Sequence, residues 1–358
     1  MRFSFRRALP PLSAIVLALG AFDLCVAEAA AAGGYQQINL TSNVPGMAHH
    51  TDPNLVNGWG AAFFPGNPFW LSDEGTGLST LYDSHGVAQG LVVAIPAAPE
   101  QPAGTAGTPS GIVANSSNAF VVSENGVSGP GVFLFDTLDG TISGWNPGVD
   151  LNHAVIAVDN FSSHSLYTGL AIAKTNHGWR LYAADAVNNR VNVFDGKFQK
   201  LYSFTDPTVP NTLSVYGVHL VQGFILVTFG SQASNQGGVV DIFDFNGRLV
   251  KRFAANGPGG PLEAPWGAAV AGPHFGPFSN ALLIGNVDDG HISAFNSKTG
   301  AFLGQMQDAT GKTIANPGLW SLEVGAGGGA SGNADELYFS AGPNGYGDGL
   351  FGKFIPAP

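Results

Sequence analysis

A small residue, most often glycine directly behind an aromatic ring, returns along this chain at Gly60, Gly111, Gly169, Gly217, Gly267 and Ser321, at separations of 51, 58, 48, 50 and 54 residues. Each position opens a short apolar segment, which leads to a second apolar segment, a Gly/Asp turn and a third segment that alternates. The pattern is plainest in Ala264–Val270, Ala281–Val287 and Ile292–Asn296, and it is repeated in Asn57–Phe64, Phe69–Gly77 and Thr80–Asp83. Strand units returning every 40 to 50 residues or so are the mark of propeller blades, since one such unit cannot bury its own faces. The chain is therefore expected to be all-β, a six-bladed β-propeller.

The last unit supplies only three strands, at Leu319–Val324, Glu336–Ser340 and Gly349–Ile355. Tyr35–Ser42 alternates polar and apolar residues and has no local partner. This segment is expected to be the outer strand of the last blade, a pairing that removes two open sheet edges and closes the ring. The first unit is expected to end with Gly90–Ile95, and the second to hold strands at Ala119–Ser123, Val132–Asp136 and Asp139–Trp145, with Asp139-Gly140 as a hairpin turn. No helix of any length is read from the sequence.

Composition agrees with many short strands and tight turns. Glycine occurs 51 times and proline 23 times, while only 11% of residues are charged. The apolar share of 44% offers ample surface to bury, which excludes a disordered chain. A net charge of −11 excludes nucleic acid as a partner, because that affinity comes largely from Lys and Arg on phosphates.

Met1–Arg7 is basic, the run from Ala8 to about Leu24 is apolar, and small residues follow from Ala27 to Gly34. This is the pattern of a secretory signal peptide over 1–31, with A-x-A cleavage sites near its end. Pro10-Pro11 and Asp23 interrupt the run, so it does not read as an anchor. The expected mature chain is one domain, 32–358, with 11 basic and 23 acidic residues and a net charge near −12. Cleavage would also remove Cys25, the sole cysteine, leaving no thiol for disulfides. A secreted or periplasmic monomer without a membrane span is expected.

Candidate binding residues gather in two sets of loops that a propeller places on one face. Loops within blades carry Asp73, Glu74, Glu124, Asp185, Asn286, Asp288 and Asp289, and loops between blades carry Asp52 beside His49-His50. Loops held by a rigid scaffold are where binding concentrates. Oxygen ligands from several blades could hold Ca²⁺, which takes six to eight of them; the alternative is that each is a turn former facing water. Trp59, Tyr216, Trp266 and Trp320 open inner strands at matching positions, either to pack between blades or to form a stacking platform for a sugar or other ring. His219 lies two residues past Gly217 on an inner strand, within reach of the central channel as a hydrogen-bonded histidine or a general base. Aromatic-Asp or aromatic-Asn pairs end five strands (Tyr82-Asp83, Phe135-Asp136, Phe194-Asp195, Phe243-Asp244, Phe295-Asn296); they are read as ring packing followed by an Asx turn. There is no Gly-x-Ser-x-Gly elbow, no His-Glu-x-x-His, no Walker loop and no dinucleotide fingerprint.

Thr51–Gly60, Phe69–Gly77, Asp139–Trp145, Ala264–Gly267, Leu282–Asn286, Gly318–Trp320 and Gly349–Gly352 together resemble a family of uncharacterised secreted bacterial proteins. The resemblance runs from about Ile38 to Phe354 and implies a β-propeller, related at a distance to NHL-type propellers. Some members of that family carry a PEP-CTERM sorting tail, which is not seen before Pro358. Where that family shows Asn-Phe-Gly-Asp-Gly, this chain has Asn286-Val287-Asp288-Asp289-Gly290, with one carboxylate more. The family has no established activity, so the resemblance implies a fold and no reaction. Two readings follow. The first is a binding module that holds a small molecule, glycan or protein on the loop-rich face. The alternative is a metal (Ca²⁺)-dependent hydrolase or lyase of the lactonase kind, with a carboxylate or His219 as base.

Overall fold

In the computed structural model, which describes residues 33–231 and 233–358, each of the six recurring small residues lies in the first strand of an antiparallel four-stranded meander. The expected signal peptide lies outside the described residues. Blade one is Gly58–Ala62, Phe69–Asp73, Leu78–Tyr82 and Val93–Ala94; blade two is Pro109–Ala114, Phe133–Thr137, Thr141–Asn146 and Asp150–Asp159. Blade three is Tyr167–Thr175, Gly178–Asp185, Arg190–Asp195 and Lys200–Phe204, and blade four is Ser214–Val221, Phe224–Gly230, Gly238–Phe243 and Leu249–Asn256. Blade five is Pro265–Val270, Leu282–Asn286, Ile292–Phe295 and Phe302–Gln305. The fold is a β-propeller.

The sixth meander has strands Leu319–Val324, Leu337–Ala341 and Leu350–Pro356, and its outer strand is Tyr35–Ser42, paired antiparallel from Tyr35↔Pro356 to Ser42↔Leu350. The ring is closed as the alternation of that segment predicts. Tyr35 locks the closure: its ring is buried against Phe275, and its hydroxyl donates to the Phe275 carbonyl (3.0 Å) and accepts from the Phe278 N–H (3.0 Å).

The small residues mark where neighbouring inner strands touch. A side chain on Gly60 would run into the Ser110 carbonyl, one on Gly111 into the backbone of Gly169 and Leu170, and one on Gly267 into the Trp320 carbonyl. Pairing of first and second strands skips register at this point, between Gly58 and Ala61, Pro265 and Ala268, and Leu319 and Leu322. Such bulges bend a strand and re-aim its side chains, here toward the axis. Hydroxyls tie one blade to the next: Ser110 donates to Tyr167 O (2.8 Å), Thr168 to Tyr216 O (2.6 Å) and Ser340 to Trp59 O (2.5 Å).

Third strands end as expected. Tyr82, Phe194, Phe243 and Phe295 are buried between blades, and one oxygen each of Asp83, Asp195 and Asp244 accepts two backbone N–H groups of the following turn. Phe135-Asp136 departs from this set. The segment read as the second strand of blade two belongs instead to an inserted hairpin, Val121–Glu124 with Val127–Pro130, so Phe133–Thr137 is the second strand. Asp136 is consequently buried and accepts from Ser110 Oγ (2.7 Å) and Gly111 N (2.5 Å). The outer strand of blade one is also shorter than expected, Val93–Ala94, and pairs in parallel with Asp150–Asp159 through Ala94↔His153, which joins blades one and two into one sheet. Among the described residues the only helical turns are the three-residue segments Phe161–Ser163 and Gly276–Phe278.

Candidate functional site

The inner strands begin at the face that carries the acidic loops, and there the axis is filled. Trp59 and Trp320 stack at 3.7 Å between centroids; Trp266 meets Trp320 edge-on at 6.0 Å, and Tyr216 does the same at 6.1 Å. Trp266 reaches from blade five to blade three, donating its indole N–H to Thr168 O at 2.7 Å, and the Trp320 N–H donates to Asn57 Oδ1 at 2.8 Å. All four rings are 5% exposed or less. A stacking platform needs a free ring face, and these faces are spent on one another. Trp59, Trp266 and Trp320 thus form a plug, and of the three Trp266 also lines the hollow beneath it.

Beyond the plug the same strands enclose a funnel of about 420 Å³, lined by residues of all six blades. Its wall is mostly small or aliphatic: Gly60–Phe63, Gly111–Ala114, Leu170–Ile172, Ala268 and Leu322. An adjoining hollow of about 340 Å³ shares Leu220, Ala268, Leu322 and Glu323 and continues along the inner strands to Val221, Val270 and Val324, away from the plug. The side chains of the wall are mostly apolar, but polar atoms make up nearly half of its exposed surface; a concave site with a few convergent polar groups is the usual form of a small-molecule site.

Two titratable side chains enter the funnel, His219 from blade four and Glu323 from blade six. His219 lies edge-on beneath Trp266, at 5.5 Å between centroids, with Nε2 2.7 Å from the Trp266 carbonyl. A carbonyl only accepts, so Nε2 carries the proton and Nδ1 keeps a lone pair in the neutral ring. Burial lowers the His219 pKa to about 4, although the Trp266 carbonyl works against that shift. Burial raises the Glu323 carboxyl to about 8, with no hydrogen bond or neighbouring charge offsetting it. Perturbed titratable groups in a cleft are a recognised sign of a functional site. Glu323 escaped the sequence reading because it sits inside a strand. Its signal was the one that marked His219, a lone titratable residue on an otherwise apolar inner strand.

Most of the remaining sequence candidates are held on their own blades or the loops leading into them, while Asp288 of blade five bonds to the blade-four loop. Asp185 is fully buried and accepts from Ser165 Oγ (3.0 Å), Leu166 N (3.2 Å), Asn188 Nδ2 (3.0 Å) and Asn192 Nδ2 (3.1 Å), with Arg190 Nε at 3.4 Å. Asp73 is buried with one oxygen on Thr80 Oγ1 (2.8 Å) and the other unpartnered, and burial holds its pKa well above the usual carboxylate range. Asp52 accepts from Asn54 N and Tyr82 Oη, and Glu74 accepts from Asn57 Nδ2. Asn286 donates to Pro261 O, Asp288 accepts from Asn235 N, and Asp289 accepts from His291 N. Glu124 ends the first strand of the inserted hairpin, between the first and second strands of blade two; it does not occupy the loop between the second and third strands where the sequence reading put it. Among the described residues no three of His, Cys, Asp and Glu gather as a metal would require. The acidic loops therefore do not converge into a shared carboxylate cluster.

No known family model matches the chain. Two uncharacterized proteins of Acanthamoeba polyphaga mimivirus are similar in sequence. One is 28% identical over 333 residues, covering 88% of this chain and 84% of that protein; the other is 29% identical over 300 residues, covering 79% and 72%. Among solved structures, the PQQ-bound aldose sugar dehydrogenase from Streptomyces coelicolor has a TM-score of 0.55 at 13% identity, over 90% of this chain and 98% of that one. A streptogramin B lyase has a TM-score of 0.51 at 11% identity, also over 90% and 98%. These likenesses carry the propeller fold. They carry no activity.

Proposed function

We propose that this chain is an exported ligand-binding propeller whose site is the axial funnel, on the far side of the aromatic plug from the acidic loops. The observation that carries this reading is the plug itself. With Trp59, Tyr216, Trp266 and Trp320 closing the axis at one end, the hollow lined by all six inner strands is open toward the other. The ligand is a small organic molecule with an apolar body, since Ala, Leu, Ile and Gly make up most of the wall. His219 and Glu323 orient it. The basic and then apolar composition of the first 31 residues supports export to the periplasm or beyond.

The test is a thermal-shift screen of small ring-bearing compounds against the purified full chain, repeated on Leu220→Trp and Glu323→Gln. Leu220 is 47% exposed and borders both hollows, so a larger ring there narrows the funnel without disturbing the core. Compounds that stabilise the natural chain are expected to lose most of their effect on Leu220→Trp. Hits that bind all three proteins alike would place the site elsewhere and remove the reading. Chelator is expected to leave the melting temperature unchanged, because the loop carboxylates are committed to backbone and neighbouring side chains.

A further inference from the structure

We infer that the funnel selects a small organic cation, an amine with an apolar body, and rejects carboxylates and phosphates. The inference rests on the funnel being the binding site and adds the charge of what it takes. Its basis is the inventory of polar side chains on the wall. The lining of the funnel and its extension includes no Lys and no Arg. The Ser321 hydroxyl is buried and already paired with Ser340 Oγ at 2.7 Å. The Gln222 amide stands only at the outer hollow. Of the side chains, what remains inside is the Glu323 carboxyl, with no hydrogen-bond partner among the described residues, and Nδ1 of His219, whose only proton is engaged by the Trp266 carbonyl.

An ammonium group carries donors and no acceptor, so it can pair with the Nδ1 lone pair and with Glu323 as that group ionises; an anion would find no Lys or Arg on the wall as counter-charge. The aromatic ring of His219 and the aliphatic wall take up the apolar remainder. At long range the field has the same sign, since the expected mature chain carries 23 acidic against 11 basic residues, and an acidic surface concentrates cations.

The pairing also makes a protonic signature. In the empty funnel Glu323 holds its proton at neutral pH, because burial raises its pKa to about 8. An ammonium ion beside it favours the carboxylate, so binding at pH 7 displaces that proton. Of the residues lining the two hollows, His219 is the only other titratable group, and with its pKa near 4 it stays neutral throughout.

The experiment compares three isosteric probes by calorimetry on the full chain: 2-phenylethylamine, 2-phenylethanol and phenylacetate. The amine is expected to bind at least tenfold more tightly than the alcohol, and phenylacetate not to bind. Titrations at pH 7 in buffers of different ionisation enthalpy are expected to show proton release with the amine and none with the alcohol. Glu323→Gln is expected to erase the amine preference and the proton release, and to raise the melting temperature at pH 7 because the penalty of the buried carboxyl is gone. Equal affinity for amine and alcohol, or preference for phenylacetate, would overturn the cation inference and leave the funnel reading standing. If none of the three binds, or if binding is indifferent to Leu220→Trp, the funnel reading falls and the inference falls with it.

Discussion

The indole N–H of Trp266 ends on the carbonyl of Thr168, 2.7 Å away and two blades distant around the ring. This bond bridges blades three and five past the inner strand of blade four, so it reports on how tightly the inner strands are drawn together. Replacing Trp266 with Phe removes the donor and leaves the Thr168 carbonyl without it in a buried site. Loss of the bond together with the lost ring volume is expected to cost about 2–4 kcal/mol. Urea denaturation checks this through a lower midpoint at unchanged slope. A midpoint within the error of the natural chain would mean that the plug contributes nothing to closure.

Gly267 and Gly169 occupy equivalent positions in blades five and three but differ in clearance. A methyl group on Gly267 would collide with the Trp320 carbonyl, whereas one on Gly169 would sit 3.4 Å from its nearest neighbour, Val218 N. Gly267→Ala is expected to destabilise by about 2–3 kcal/mol and Gly169→Ala by less than about 1 kcal/mol. Paired melting curves of the two variants decide the matter, and equal losses would contradict the close approach described for blade five.

Closure through the amino-terminal strand predicts a large effect of Tyr35→Ala. That change deletes a buried ring and both of its hydroxyl bonds, to Phe275 O and from Phe278 N. A loss of about 3–5 kcal/mol is expected, as for other buried aromatic truncations. Deleting Tyr35–Ser42 altogether is expected to lower the melting temperature further, because it also leaves Leu350–Pro356 as an unpaired edge. Unchanged melting in the deletion would show that the ring does not depend on this latch.

Asp136 sets a pH dependence whose sign can be worked out. Burial raises its pKa from the ordinary 3.8 to about 7, against the Ser110 and Gly111 hydrogen bonds that favour the charged form. Between those values the folded chain holds a proton that the unfolded chain has released, so stability is full below about pH 4 and declines as pH rises to 7. His219 acts oppositely in an overlapping window. With its pKa lowered from 6.5 to about 4, its contribution is present above pH 6.5 and lost as pH falls toward 4. Comparing denaturation midpoints of the natural chain and Asp136→Asn from pH 4 to 7 isolates the first term. The natural chain is expected to lose stability relative to the variant as pH increases, and a flat difference would refute the shift.

Much of the architecture was legible because it depends on spacing. Gly60, Gly111, Gly217 and Gly267 recur where a side chain would strike the neighbouring inner strand, and the alternation of Tyr35–Ser42 specifies an edge with one buried face. The inserted hairpin of blade two was not legible, because Val121–Glu124 has the same short apolar character as a blade strand and only its partner distinguishes the two. That one segment displaced the reading of Glu124 and of Asp136 together. Asp83 and Asp136 both follow an aromatic residue, yet one caps a turn in water and the other is buried against Ser110.

From its sequence alone this protein's class, its period and the way its two ends meet are determined, since those follow from backbone sterics and from which face of each strand must be buried. Where the binding hollow lies was decided only by the tertiary structure. Whether Trp59, Trp266 and Trp320 offer their faces to a ligand or to one another depends on distances across the axis, and no local pattern encodes those distances. The same holds for His219 and Glu323, 104 positions apart in the chain, which line one funnel because closing the ring puts blades four and six around the same axis.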